Sequence, residues 1–69
     1  MIEVFKTNVS RKSEARKVVS ALLEHYPCSK INFDLQDCDR ILRVEGEELI
    51  VEQVMKLVNE NGFSCTVLE

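Results

Sequence analysis

Ile2, Val4 and Lys6 alternate with Glu3, Phe5 and Thr7, which predicts a strand over residues 2–7 with one apolar face and an odd aromatic, Phe5, on the other. The period then changes. Ala15, Val18, Val19, Leu22 and Tyr26 recur at helical spacing, with Ser10 placed to cap the start and Pro27 to close the end. Ile31, Phe33 and Leu35 alternate with Asn32 and Asp34 in a second strand, "QDCD" forms a polar turn, and Leu42 and Val44 alternate with Ile41, Arg43 and Glu45 in a third. The pattern breaks at "EGEE". Leu49, Ile50, Val54, Leu57 and Val58 then mark a second amphipathic helix, with Glu47 and Glu48 near its positive end. Gly62 in "NENG" is placed to take the left-handed conformation that ends a helix, and Phe63, Cys65 and Val67 alternate into a last strand.

The order is β-α-β-β-α-β in a single domain, residues 1–69. Two helices cannot bury their apolar stripes on each other and also cover four strands. The economical solution is an α+β ferredoxin-like sandwich: a four-stranded antiparallel sheet, order 4-1-3-2, with both helices on one face. Right-handed crossovers then gather Asn8 to Arg11, Gln36 to Asp39 and Asn61 to Phe63 at one end of the sheet, and leave His25, Cys28 and Gly46 at the other.

Composition narrows the function. The chain is 45% hydrophobic and 30% charged, a globular balance, and no apolar run approaches the roughly 18 residues a bilayer span needs. No secretion signal is legible, so the expected compartment is the cytoplasm. Net charge is −3, unevenly spread: residues 1–30 hold six Lys/Arg against three Asp/Glu, and residues 31–69 hold three against nine. That asymmetry favours an acidic protein partner or self-association and argues against nucleic acid.

Cys28, Cys38 and Cys65 are odd in number and lack C-x-x-C spacing, so they read as free thiols. Cys65 is in phase with Phe63 and Val67, and Cys28 opens the second strand, so both are expected in the core. Cys38, between Asp37 and Asp39, is expected to be exposed, its thiolate disfavoured by the carboxylates. His25-x-x-Cys28 supplies two ligands where a zinc site usually needs four. There is one histidine, no glycine-rich phosphate loop, and no nucleophile with a legible base, so no enzyme is expected.

Several stretches together resemble the heavy-metal-associated domain of copper chaperones and metal-pumping ATPases. "VVSALLEHYP" is similar to that family's first-helix ending, "INFDL" to its second strand, and "ILRVEGEELIVEQVMKLVNENGFSCTVLE" to its third strand, second helix and closing strand. The resemblance implies the ferredoxin-like fold and a soft-metal loop, Met-x-Cys-x-x-Cys, after the first strand. At the matching positions this chain has Val9, Arg11 and Glu14. A guanidinium repels a cation, and a lone carboxylate is a hard ligand that a soft metal does not select. The chain thus resembles a member whose metal loop is lost, and no cofactor is expected. The rival reading is a Cu or Zn protein with unconventional ligands, Cys38 from two chains assisted by Glu14.

Two surfaces stand out as binding candidates. Arg11, Lys12, Arg16 and Lys17 crowd a helix start whose dipole favours anions, so free N–H groups after Ser10 could receive a carboxylate or phosphate of an acidic partner. If Val4 faces the helices, Phe5, Ile41 and Leu68 form an apolar patch on the open side of the sheet, suited to self-association. The expected function is a non-catalytic binding module.

Overall fold

Which side of the first strand faces inward decides the rest of the core. The computed structural model describes residues 1–68, in the order β1 (Ile2–Thr7), α1 (Lys12–His25), β2 (Lys30–Asp34), β3 (Ile41–Glu45), α2 (Val51–Glu60) and β4 (Cys65–Val67). The strands form one antiparallel sheet ordered β2-β3-β1-β4, the expected 4-1-3-2 arrangement read from the other edge. Phe5 stands opposite Leu42, which stands opposite Phe33, so the three share one face of the sheet. Leu42 is fully buried, and so is Phe5.

Phe5 is therefore a core residue, and the expected open-face patch built on it does not form. The physical reason is the company each face keeps: the opposite phase would turn Lys6 inward with Ile2 and Val4, whereas this phase buries the Phe5 ring and leaves the Lys6 charge in water. Ile2 is left 58% exposed, and Val4 is half-buried on the outer face.

Both helices cover the inner face. From α1 come Ala15, Val18 and Leu22 at helical spacing, with Tyr26 packed against them; from α2 come Val54, Leu57 and Val58. Val9, Leu42, Val44, Leu49 and Cys65 complete the cluster with Phe5. Burial raises the Cys65 thiol to about 11, so it remains protonated and acts as a small hydrophobe, as expected. Cys28 departs from expectation. It sits in the turn between α1 and β2 and is exposed, because Ser29 closes that turn by donating to the Tyr26 carbonyl with both its N–H (3.0 Å) and its hydroxyl (2.6 Å).

The second helix starts later than its hydrophobic pattern implies. Ile50 is its N-cap, 58% exposed, and Glu52 is the acid in the first turn; Glu47 and Glu48 precede the helix. The other end follows expectation. Gly62 has φ +93°, its N–H reaches the Asn59 carbonyl (3.0 Å), and the Phe63 N–H reaches that of Val58 (3.3 Å). That pair of bonds is a Schellman closure, which uses Phe63 as a cap residue and so delays β4 to Cys65. No helix among the described residues is long and apolar enough to cross a membrane.

The Phe5 assignment has a measurable consequence. Phe5→Ala should lower the unfolding free energy in urea by about 3–5 kcal/mol, the cost of emptying a closed aromatic site. A loss below about 1 kcal/mol, the range of surface changes, would return Phe5 to the open face.

Candidate functional site

Three loops meet at the end of the sheet where β1 leads into α1, and short polar side chains fasten them. Thr7, the last residue of β1, is buried; its hydroxyl donates to the Arg40 carbonyl (2.6 Å) and accepts from the Val9 N–H (3.2 Å), while its own N–H donates to the Asp39 carbonyl (3.1 Å). Asn8 then ties in the loop between α2 and β4, its Oδ1 accepting from the Ser64 N–H at 2.8 Å. Val9, at the position that resembles a metal-loop methionine, is fully buried and anchors the loop to the core.

The helix start follows from this anchoring. Arg11, not Ser10, is the N-cap of α1, and its carbonyl accepts the first helical bond from Ala15 (3.0 Å). Ser10 does not cap as expected, because Glu14 takes that role from inside the helix. Oε1 of Glu14 accepts from the Ser10 N–H (3.2 Å), the Arg11 N–H (3.1 Å) and the Ser10 hydroxyl (3.4 Å). This is the carboxylate half of a capping box. The backbone bonds from Ser10 and then Arg11 hold the Glu14 carboxyl below its ordinary range, with the Ser10 hydroxyl and the Arg11 charge adding to the same effect. The anion favoured at this helix end is thus supplied by the chain itself.

Arg11, Lys12, Arg16 and Lys17, at the N-cap and in the first turns of α1, are all exposed. Among the described residues the ion pair present is Lys6–Asp39, at 3.5 Å, between β1 and the β2–β3 turn. Among the described residues none of the four forms a salt bridge.

The donor set at this corner does not fit a soft cation. It consists of one carboxylate, already accepting two N–H groups and a hydroxyl, beside a guanidinium. A group of potential ligands does occur nearby, in the turn after β2: atoms of Asp37, Cys38 and Asp39 lie within 4.8 Å of one another. Glu14 does not belong to this group. Both of its carboxylates are engaged, Asp37 by the Asp39 N–H (2.8 Å) and Asp39 by Lys6. Cys38 is exposed, as expected.

At the opposite end of the sheet, His25 and Cys28 line a groove of about 560 Å³ with Met1, Tyr26, Glu47 and Leu49. Both are exposed, and neither joins a group of three potential ligands among the described residues. On the open face, Ile41 is half-buried and Leu68 is 42% exposed, its N–H bonded to the Val4 carbonyl (2.9 Å). Ile2 and Val4 take the place expected of Phe5 there, and exposed Lys6 and Arg43 interrupt the apolar surface.

The sequence pattern does not reveal Thr7 and Asn8 as fasteners. The available signal was chemical: a Thr at a strand end and an Asn just beyond it are short side chains able to bond nearby backbone. The same signal marks Asp34, whose Oδ1 accepts from the N–H groups of Gln36 and Asp37 at 3.3 Å each and so shapes the turn.

No protein-family model and no curated protein matches the chain. Among solved structures, the solution structure of the yeast copper transporter domain Ccc2a, in apo and Cu(I)-loaded states, is similar to it with a TM-score of 0.82. The match covers 99% of this chain and 94% of that one, at 13% identity, and establishes a shared fold. Copper loading is a property of the yeast domain.

Glu14→Ala should lower the urea midpoint at neutral pH. The folded pKa is depressed, so the carboxylate's contribution is fully present above the unfolded value and fades as pH falls through the folded one. The gap between the two proteins should therefore close in acid. A gap that persists unchanged at a pH where Glu14 is protonated would contradict the capping role.

Proposed function

We propose that this chain is a non-catalytic protein-interaction module on a scaffold like the heavy-metal-associated domain, with soft-metal binding absent from the loop after β1. The observation that carries the reading is the position of Glu14. Its carboxylate closes the start of α1 onto the Ser10 and Arg11 N–H groups, where a metal loop would instead need free thiolates. The shifted ionisation of Glu14 and of Cys65 is accounted for by capping and by burial, which leaves neither poised for acid–base chemistry. The exposed basic set on α1 suits an acidic protein surface, which it would attract over about 8–10 Å at ordinary salt. Three free thiols, two of them exposed, suit a reducing compartment such as the cytoplasm.

The rival reading, a Cu or Zn protein, draws on the copper-loaded yeast neighbour and on Cys38 with its flanking carboxylates. Isothermal titration of the reduced chain with Cu(I) and with Zn(II) separates the two. The interaction reading predicts weak, non-stoichiometric heats for both metals. A submicromolar site at one metal per chain, or one per two chains, would overturn it.

A further inference from the structure

The outer edge of β2 carries more pairing capacity than an edge strand usually keeps. It bonds to β3 on one side only, runs five residues without proline, and matches the length of β3 beside it; the other edge, β4, has three residues. Alternate N–H and C=O groups of β2 point away from β3. Among the described residues, no backbone bond from a loop or helix reaches Lys30–Asp34. Behind this edge lies a groove of about 650 Å³ between β2 and α1. It is lined by Val19 and by half-buried Ile31, Phe33 and Leu35, with Lys12 and Arg16 at its rim.

The charges on β2 say what fits. Lys30 and Asp34 stand at opposite ends of the strand, both exposed on the open face of the sheet. If a second copy pairs antiparallel about Asn32, Lys30 meets Asp34 of that copy at both ends, and Ile31 meets Phe33 on the helix side. A parallel pairing through the same edge turns each residue's counterpart to the opposite face of the sheet, so neither the charges nor the apolar residues of the two copies meet. An antiparallel shift by one residue would set side chains of opposite faces against each other, which the pleat does not allow, and a shift by two separates Lys30 from Asp34.

We infer that two copies of this chain join edge to edge through β2, antiparallel about a two-fold axis at Asn32, giving one continuous eight-stranded sheet. This rests on the interaction-module reading and names its partner. The pairing is isologous and closes on itself, so it does not propagate into a fibre.

Sedimentation equilibrium of the intact, reduced chain tests it. The wild type should show a reversible monomer–dimer equilibrium that weakens with added salt. Lys30→Asp and Asp34→Lys should each weaken the dimer by about tenfold, since both ends then carry like charges. An equimolar mixture of the two variants should recover the dimer, because opposite charges again meet at both ends. Lys30 makes no ion pair among the described residues, so Lys30→Asp remains informative even if Asp34→Lys, which removes a turn-forming carboxylate, unfolds. A wild type that stays monomeric at millimolar concentration would overturn the proposal, leaving the groove to an acidic peptide. A dimer that Lys30→Asp does not weaken would overturn it as well, by placing the contact elsewhere. Neither result bears on the metal titration, which tests the interaction reading by itself.

Discussion

The first N–H groups of a helix have no partner within it, and the aligned peptide dipoles collect positive charge there. Arg11, Lys12, Arg16 and Lys17 add four full positive charges to that end of α1. Some anion has to answer, and here it is the carboxylate of Glu14, folded back onto Ser10 and Arg11 from one turn inside the helix. With that carboxylate on Ser10 and Arg11, the loop before it is fastened at both ends, by Glu14 on one side and by Thr7 and Asn8 on the other. Val9 is drawn into the core, Asn8 and Ser10 stay outside, and the cations are left facing solvent. Built with Arg11 and Glu14, this corner closes the start of the helix.

That corner also braces the neighbouring loops. Thr7 connects the end of β1 to Arg40, and Arg40 itself has φ +48°, a left-handed conformation that non-glycine side chains adopt at a cost. Its conformation is supported from three sides. The Arg40 N–H donates to the Asp37 carbonyl (3.1 Å), the guanidinium donates to the Leu35 carbonyl (2.9 Å), and the Arg40 carbonyl accepts from Thr7. A turn held in this way presents Asp37, Cys38 and Asp39 in a fixed arrangement. Their oxygens serve the backbone and Lys6, which explains a ligand-like cluster without requiring an ion.

Much of the fold is legible in the chain because period and punctuation agree. All six elements and their order follow from alternation, helical spacing and the signals at Pro27 and Gly62, and the sheet order follows from topology. The failures share a cause, which is that a one-dimensional pattern cannot weigh one face against another. Phe5 interrupts a plausible Ile2/Val4 face, and only the register with Leu42 and Phe33 shows that the aromatic wins. Cys28 looks like the first core residue of β2, but the tight turn closed by Ser29 lifts it into solvent. Ser10 is a reasonable cap by residue type. The competing cap, Glu14, comes into view through the capping-box spacing counted from Arg11, a residue that is not itself a capping type.

The reading proposed above, an interaction module on the fold shared with the yeast copper transporter domain, assigns recognition to a basic helix face and a free strand edge. It depends on the Glu14 carboxylate being charged and held at the start of α1. The most direct measurement is an NMR titration that follows the Glu14 side-chain carboxyl carbon together with the amides of Ser10 and Arg11. The account predicts a Glu14 midpoint below the ordinary 4.5, with both amides moving at that same pH as their acceptor is protonated. A midpoint at or above 4.5, with the two amides unmoved, would contradict it.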